Sequence, residues 1–515
     1  MDASSTICFP RMRKARVDLL ILLIISIVAF ALRIRGIDTQ GYWHDELYTL
    51  ANLTGFDLYL FPGSDLHSTE AVLPAGELLG RLSEDKFISN FWRNIIHEGH
   101  PPLYLLLAKL WTTLTYLSLH SIRLFSVISS TLAVPIIYLI GLRLGGRIVA
   151  ILASLFLAIS PFQIFFSIEA RSYGLLALFA ATSTLSAVLL REKKSPNTIH
   201  WAFWIVSASA ACLTHYYASI YCFLLLALYI FPGGAIQGPD RVRRLLLALT
   251  PFLIFGAWLP VLYLQVNAHG SGHWTHGSLD FFSSIGSAAT GLTELLGGQQ
   301  VNLEKLEFLF LGLLILTSFI AVLTKKTSRT SRTWQCLLLI IPVHILTVYL
   351  LDLVLNHHTI SVVRYSSSLA IPLALILSFA LQRMKWVGLA LTIVFSIYSI
   401  HTSLLVSSAQ RGQKQMLLEV SSYINQHSSP GDLVIVTPSG PTLIGLAMYL
   451  RPETNLMAMP AETLVNFVLR PGRPPGQIIW SVQQRLGIGI ESWAEPTTPG
   501  AKSVVRFVGV DLAEY

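Results

Sequence analysis

Charge is scarce in this sequence. Asp, Glu, Lys and Arg together make up only 12% of the 515 residues, whereas hydrophobic residues make up 53%. A soluble protein usually carries about twice that share of charged residues, so the composition excludes an ordinary soluble protein. Apolar runs long enough to cross about 30 Å of hydrocarbon recur from Val17 to Val406, and they predict a multi-pass α-helical membrane protein.

Cysteine is scarce as well, and the phosphate-binding motifs of soluble enzymes are absent from the sequence. The four cysteines show neither metal-ligand spacing nor a disulfide framework: Cys8, Cys212, Cys222 and Cys336. Cysteines in apolar segments most often act as small hydrophobic residues. The sequence also contains no Walker loop and no dinucleotide-binding glycine motif, which argues against a soluble nucleotide donor.

The basic residues that are present lie between the apolar runs. If the N-terminus is cytoplasmic, five basic loops fall on the cytoplasmic side, as the positive-inside rule requires: "GLRLGGR", "REKKSPN", "PDRVRR", "KKTSRTSR" and "QRMK". These loops account for the formal charge of +8 without a nucleic acid partner. The pattern predicts eleven crossings: 17–35, 122–142, 147–166, 172–190, 200–213, 215–231, 244–265, 306–323, 334–354, 366–382 and 386–406.

Two apolar segments need a separate interpretation. The first run has no small-residue cleavage site before "RIRGIDTQG", so we interpret it as a retained helix and not as a signal peptide. Residues 101–119 are almost long enough to cross, but a crossing there would move all five basic loops to the wrong side. We therefore expect an interfacial helix, to which Lys109 and the aromatic rings are suited. The alternative is an ordinary crossing with a second one missed elsewhere.

The crossings divide the chain into three predicted regions. A cytoplasmic tail occupies residues 1–16, and a transmembrane catalytic domain occupies 17–406 with external loops at 36–121 and 266–305. Residues 407–515 read as a small soluble extracytoplasmic α/β domain, with a helix through "KQMLLEVSSYINQH", a strand "LVIVT", a helix "TLIGLAMYL" and strand-like runs "QIIWSV" and "SVVRFVGV". Within the 266–305 loop, "AATGLTELLGG" predicts a short surface helix.

An adjacent acidic pair, Asp45 and Glu46, follows the first crossing in "GYWHDELYTL". One carboxylate at the end of a membrane cavity can act as a general base towards a hydroxyl nucleophile. It can also hold a hard divalent cation, for which Asp45 is the candidate ligand, or couple proton movement in a transporter. A structural role in capping the following helix is the fourth interpretation. The pair alone does not decide among these.

Basic and aromatic residues on the same predicted side narrow the choice. A reaction that expels a phosphate needs fixed positive charge, and the planar guanidinium matches phosphate oxygens. Aromatic rings and hydroxyls suit a sugar or a polar headgroup. The candidate donor-binding residues are His100, Arg123, Arg171, Tyr173, His215, Arg364 and Tyr365. This inventory fits group transfer from a membrane-held phosphate better than ion conduction.

An ordered series of motifs resembles the GT-C glycosyltransferases of family 39 and of the lipid A aminoarabinose transferase type. "GYWHDELYTL" resembles their W-x-D-E motif, and "EGHPPLYLLLAKLW" resembles their HPPL segment. "SIRLFSVISSTLAVPIIYLIGLRLGG", "LAISPFQIFFSIEARSYGLL", "THYYASIY" and "VRYSSSLAIPLAL" continue the likeness. The resemblance covers about residues 15–405 and is strongest in the first 230.

The resemblance implies inverting transfer of a sugar from a polyprenyl-phosphate carrier on the outer side of a membrane. By position, Asp45 would be the catalytic carboxylate and Glu46 its support. His100 stands where relatives hold His or Lys near the carrier phosphate, and Arg123 matches an arginine of the mannosyltransferase branch. Arg171 and Arg364 would be further phosphate or sugar contacts. The acceptor would be a glycan, a lipid or a protein.

Three departures limit the resemblance. The 266–305 loop holds no large carbohydrate-binding domain, unlike the eukaryotic protein mannosyltransferases, which weakens the case for a protein acceptor. Gly99 occupies the place of a second acidic residue of the aminoarabinose branch, which argues against that sugar. The part of the 36–121 loop that precedes residue 101, about 65 residues, is also longer than its motif requires.

A different class of protein would also carry these features. A polytopic transporter or flippase of lipid-linked sugars could use the acidic pair for proton coupling, although we detect no two-fold internal repeat of the kind that transporters often show. The tight loops and the resemblance favour a bacterial inner membrane. A divalent cation remains a possible cofactor on the sequence evidence.

Overall fold

The chain is described from a computed structural model, and the description covers residues 8–38, 41–56, 72–193, 196–226, 240–269, 275–277, 280–298, 305–324, 329–408, 412–429, 432–437, 441–458, 479–484, 503–507 and 510–514. The helices are α1 (Cys8–Ile34), α2 (His44–Thr54), α3 (Ala75–Ser83), α4 (Phe87–Ile96), α5 (Leu103–Leu114), α6 (Leu119–Gly145), α7 (Arg147–Ile159), α8 (Pro161–Ser167), α9 (Tyr173–Glu192), α10 (Thr198–Thr214), α11 (Tyr216–Leu225), α12 (Arg241–Gly256), α13 (Leu259–His269), α14 (Phe281–Gly297), α15 (Lys305–Leu323), α16 (Arg329–Leu355), α17 (Ala370–Arg383), α18 (Lys385–Ser408), α19 (Gly412–His427) and α20 (Pro441–Ala447). Two 3₁₀ helices, Thr359–Ser361 and Val363–Leu369, precede α17. The strands are β1 (Leu73–Pro74), β2 (Leu433–Thr437), β3 (Asn455–Ala458), β4 (Ile479–Gln484), β5 (Ser503–Phe507) and β6 (Val510–Glu514).

The residues form two compact units. The first unit contains 1–37, 99–116 and 120–408, and the second contains 38–98, 117–119 and 409–515. The acidic motif is therefore part of the same unit as the C-terminal segment. We name these the helical unit and the sheet unit.

The helical unit is that of a multi-pass membrane protein. In the described part of the chain, seven helices are long and apolar enough to cross a membrane: 16–34, 119–145, 173–192, 241–268, 332–355, 363–383 and 385–405. A bent pair, α7 and α8, would make an eighth. Three of the other predicted crossings correspond, in the described residues, to shorter apolar helices: 198–214, 216–225 and 307–323. Helix α5, at 12 residues, is also too short to cross on its own.

A break at Ser160 separates α7 from α8, which diverge by 52°. The sequence analysis predicted one continuous crossing over 147–166, and the break follows from Pro161, which lacks the N–H that would continue the helical ladder. Ser160 caps the new helix by accepting a hydrogen bond from the N–H of Gln163 at 3.2 Å. The α8 turn leads directly into the "SIEARSY" segment.

A fully buried arginine supports this break. Arg33, near the end of α1, donates to the carbonyl oxygens of Leu157 and Ala158 at 3.1 and 2.8 Å, and to Ser130 Oγ at 3.1 Å. The carbonyls at the C-terminal end of an α-helix have no partner within the helix, and they carry partial negative charge. The guanidinium therefore supplies the donors that the interrupted helix lacks.

The sheet unit contains one six-stranded mixed sheet in the order β1-β3-β2-β4-β6-β5. Strand β2 pairs in parallel with β3 and β4, and β6 pairs antiparallel with β4 and β5. Strand β1 comes from the segment between α2 and α3 and pairs antiparallel with β3, with Leu73 opposite Leu456. This segment thus contributes a strand to a sheet otherwise formed by the C-terminal segment.

Helix α2 has a sharply defined C-terminal end in the sheet unit. Gly55 adopts a φ of 73°, and the N–H of Phe56 donates to Ala51 O at 2.9 Å. A Cβ at Gly55 would lie 2.2 Å from the backbone of Lys86, so only glycine fits. The amides of Asn90 and Asn94 donate to the carbonyls of Gly55 and Phe56 at 2.7 and 3.0 Å, which fixes α4 beside this end of α2.

Candidate active site

The acidic motif forms the first turn of α2, which begins at His44. The buried carboxylate of Glu46 accepts a hydrogen bond from the N–H of Trp43 at 3.1 Å. This contact satisfies a backbone donor that the helix itself cannot pair, as in half of a capping box. Glu46 therefore has a structural task at the start of α2, which was one of the interpretations left open by the sequence.

Asp45 is half-buried in the same turn. The aligned peptide dipoles of α2 favour a negative charge at this position. Burial lowers the pKa of the adjacent His44 below its ordinary value, and the Asp45 carboxylate partly opposes that effect. The first turn thus presents a carboxylate next to an imidazole that is neutral at pH 7.

A basic pair lies in the helical unit. His100, which precedes α5, and Arg171, in the turn between α8 and α9, meet with the Arg171 Nη2 atom 2.9 Å from His100 Nδ1. Ser126 of α6 donates its hydroxyl to the carbonyl of Arg171 at 3.2 Å. A Cβ at Gly174 would lie 2.4 Å from the carbonyl oxygen of Ser126, so glycine permits this close approach of α9 to α6.

Aromatic rings extend this basic pair. His215, which separates α10 from α11, lies with its ring centroid 5.3 Å from that of His100 and 5.9 Å from that of Tyr173. Its ring is also 5.5 Å from Tyr365. Tyr365 in turn stacks on Tyr217 at 5.3 Å and 14°. Imidazole, guanidinium and phenol groups from four segments of the chain therefore meet in one place.

Arg364 adds a second guanidinium to this cluster. Its Cζ atom lies 5.9 Å from the ring centroid of Tyr365. The positive charges of Arg171 and Arg364 both act on His215. We name the set His100, Arg171, Tyr173, His215, Arg364 and Tyr365 the basic cluster.

Residues that the sequence analysis did not select hold the basic cluster in place. The buried amide of Gln265 accepts the Tyr216 hydroxyl and donates to the carbonyl of His100 at 3.3 Å. Asp352 accepts the Thr359 hydroxyl at 2.5 Å, and Thr359 Oγ1 lies 2.5 Å from the hydroxyl of Tyr217. The sequence could have identified Asp352, because a carboxylate inside an apolar run is energetically costly and usually has a function.

Arg123 has a different local environment from the basic cluster. It is buried in the first turns of α6 and donates to the carbonyl of Ile37 at 2.8 Å. Ile37 packs with Val127 and Ile168. The contact fixes the chain where it leaves α1, and the phosphate contact predicted for Arg123 stays a prediction.

Apart from Arg123, the sequence-predicted residues fall into two groups. Six of the seven candidate donor-binding residues form the basic cluster of the helical unit, while Asp45 and Glu46 belong to the sheet unit. Among the described residues, no group of three or more His, Cys, Asp or Glu side chains is placed to hold a metal ion.

Comparison with known proteins shows which families and solved structures this chain resembles. A family model described as dolichyl-phosphate-mannose-protein mannosyltransferase matches residues 99–263, which include most of the basic cluster. The structure of ArnT from Cupriavidus metallidurans in the apo state is similar with a TM-score of 0.56 and 12% identity, over 98% of each chain. The same protein bound to undecaprenyl phosphate gives 0.53 and 13%, over 96% of this chain and 97% of that one.

The chain has the GT-C fold. The family 39-like resemblance predicted from the motifs is confirmed. A weaker likeness, with a TM-score of 0.48 and 13% identity, links this GT-C chain to the archaeal oligosaccharyltransferase AglB from Archaeoglobus fulgidus in complex with an inhibitory peptide and a dolichol-phosphate, over 86% of this chain and 65% of that one. No curated protein matches the sequence.

Proposed function

We propose that this GT-C chain is an integral-membrane glycosyltransferase. It transfers a sugar, with inversion, from a polyprenyl-phosphate-linked donor to an acceptor on the extracytoplasmic face of a bacterial inner membrane. The acceptor is a glycan, a lipid or a protein.

The basic cluster is the observation that supports this function most directly. Two guanidinium groups and two imidazoles meet among tyrosine rings at the ends of apolar helices. A lipid phosphate that leaves a sugar develops negative charge, and preorganised donors at that position are usually the largest catalytic contribution. Arg171 is held by hydrogen bonds at both its guanidinium and its carbonyl, so it is ordered before any donor arrives.

The tyrosine rings give the cluster a second task. Tyr173, Tyr217 and Tyr365 surround His215 with flat apolar faces. Rings of this kind pack against the carbon-bound hydrogens of a sugar or a prenyl chain, and their hydroxyls bond to polar groups. The cluster is therefore suited to a donor that has a phosphate, a sugar and a lipid tail.

The proposed reaction uses one carboxylate. The acceptor oxygen attacks the anomeric carbon from the face opposite the phosphate, and a new carbon–oxygen bond forms as the carbon–oxygen bond to the phosphate breaks. Asp45 accepts the proton of the acceptor hydroxyl, and the electron pair of the broken bond goes to the carrier phosphate. Glu46 supports Asp45 by capping the turn that carries it.

Two further facts support a lipid-linked donor. The solved structure with the same fold over 97% of its length is bound to undecaprenyl phosphate. The family model that matches residues 99–263 describes an enzyme class that uses dolichyl-phosphate-mannose. By analogy, the carrier in this protein is a polyprenyl phosphate and the basic cluster binds its phosphate.

Donor consumption is the experiment that separates this function from transport. The purified full chain in nanodiscs is incubated with undecaprenyl phosphates that carry labelled hexoses or pentoses, with a membrane lipid and glycan extract as the acceptor source. A transferase releases free undecaprenyl phosphate and labels the extract. Movement of intact donor across liposomes without release of undecaprenyl phosphate would show a flippase and overturn the proposal.

A further inference from the structure

The acidic motif is anchored directly to the C-terminal segment within the sheet unit. The backbone N–H of Tyr42 donates to the hydroxyl of Tyr449 at 3.0 Å. The two rings also stack, with centroids 5.1 Å apart and planes at 23°. Tyr42 lies three residues before Asp45, so its backbone sets the direction in which the chain enters α2.

Tyr449 is itself held by α19. The side-chain amide of Asn425 donates to the carbonyl of Tyr449 at 2.8 Å, and its oxygen accepts the N–H of Arg451 at 3.1 Å. The Arg451 guanidinium donates to the carbonyls of Asn425 and Ser428 at 3.0 and 2.7 Å. The loop that carries Tyr449 is thus bonded to the end of α19 at several points and makes a firm support.

A second contact fixes the same helix one turn later. Leu47, which is fully buried, packs against α20 at Gly445, where a Cβ would lie 2.8 Å from Leu47 Cδ1 and 2.4 Å from Leu417 Cδ1. Glycine therefore lets α2 approach α20 closely. Asp45 lies between the two anchors, Tyr42 on one side and Leu47 on the other.

We propose that Tyr449 is a positioning residue for Asp45, and that the C-terminal segment serves catalysis by orienting the acidic turn. Tyr449 acts through Tyr42, because its ring and hydroxyl hold the residue that leads into α2. The inference rests on the proposed role of Asp45 as the base. A general base must lie within hydrogen-bond reach of its proton, so a small change in the angle of this turn lowers the rate steeply.

The test compares two tyrosines of the same unit. Tyr449→Phe removes the hydroxyl that accepts the Tyr42 N–H and keeps the ring, and Tyr449→Ala removes the stacked ring as well. Tyr423→Phe and Tyr423→Ala are matched controls, because Tyr423 stacks on His427 of the same helix α19. All variants are made in the full chain and reconstituted in nanodiscs.

The kinetic readout separates positioning from a general loss of folded protein. We expect Tyr449→Phe to lower kcat about tenfold and Tyr449→Ala on the order of a hundredfold, with the KM for the undecaprenyl-phosphate donor unchanged. The Tyr423 variants retain kcat. Wild-type kcat in Tyr449→Ala, or a loss that follows the folded fraction measured by thermal unfolding, would overturn the inference.

Hydrogen exchange gives a readout that needs no substrate. In Tyr449→Ala we expect the backbone amides of 43–49 to exchange about tenfold faster than in the wild type, with no such change in Tyr423→Ala. Unchanged exchange in this segment would contradict the anchor. If Asp45→Asn keeps full turnover while exchange responds to Tyr449→Ala, the proposed base fails and the anchor stands.

Discussion

The guanidinium of Arg171 lies 2.9 Å from the Nδ1 atom of His100. Arginine has only donors, so the imidazole nitrogen must accept, and His100 is neutral with its proton on Nε2. The pair therefore carries one positive charge and presents a guanidinium whose direction is set by the histidine. This geometry leads to a prediction for each partner.

Arg171→Lys should weaken donor binding. Lysine keeps the charge but loses the planar fork, so it can neither bond to His100 in the same way nor match two phosphate oxygens. We expect the KM for the undecaprenyl-phosphate donor to rise about tenfold or more, measured by release of undecaprenyl phosphate. The double variant with His100→Ala should lose less than the product of the two single effects. Fully additive losses would show that the two side chains act independently.

Asp45→Asn should abolish transfer while leaving the fold intact. The amide has nearly the same shape as the carboxylate but cannot take a proton from the acceptor, and loss of a general base costs about two to four orders of magnitude. The measurement is turnover beside thermal unfolding and size-exclusion behaviour. Near-normal turnover would refute the base assignment.

Glu46→Gln is the matched control for this substitution. Glutamine retains an oxygen that can accept the Trp43 N–H, so α2 keeps its cap and turnover should fall less than in Asp45→Asn. The opposite order would identify Glu46 as the base.

Gly55→Ala should destabilise the sheet unit. The residue would need a φ of 73° and would place its Cβ 2.2 Å from the backbone of Lys86. Strain of this kind costs about 2 kcal/mol or more. Gly80→Ala is the control, because Gly80 lies inside α3 with nothing within 4 Å of the new Cβ, and alanine there should stabilise by about 0.5 kcal/mol. Differential scanning fluorimetry of both variants would show melting temperatures that move in opposite directions.

Glu294 should make stability depend on pH. Burial raises the pKa of this carboxyl on α14 to about 7, above its value in the unfolded chain. The folded protein therefore keeps the proton longer, so the contribution of Glu294 to stability is full below about pH 4.5 and is lost as the pH rises through 7. Glu294→Gln should unfold at a higher temperature than the wild type at pH 8 and at nearly the same temperature at about pH 4. A difference that is constant with pH would show that Glu294 does not titrate in this range.

Much of the helical unit could be predicted from the sequence, because its signals are local. The apolar runs, Pro161 and the basic loops each act within a few residues, and the ordered motifs identified four segments that the basic cluster unites. The structure divides one apolar run more finely, since the predicted crossing 147–166 is broken at Ser160, inside a stretch whose hydropathy does not change.

Contacts between distant segments could not be predicted. Tyr42 and Tyr449 are 407 residues apart, and no sequence motif that contains one of them predicts a contact with the other. Strand β1 has only two residues, which is too short for alternation to show, and it exists because β3 offers an edge. The sequence likewise assigned Asp45 to a loop of the membrane domain, whereas the structure groups it with the C-terminal segment.

The buried guanidinium of Arg33 has a consequence for how the protein is made. Its acceptors, Leu157 and Ala158, are synthesised more than a hundred residues later. Until α7 is inserted, the Arg33 guanidinium of α1 lacks two of the carbonyl acceptors that it has in the folded protein. During biogenesis α1 must therefore stay beside the insertion machinery, or in contact with water, until α7 is inserted.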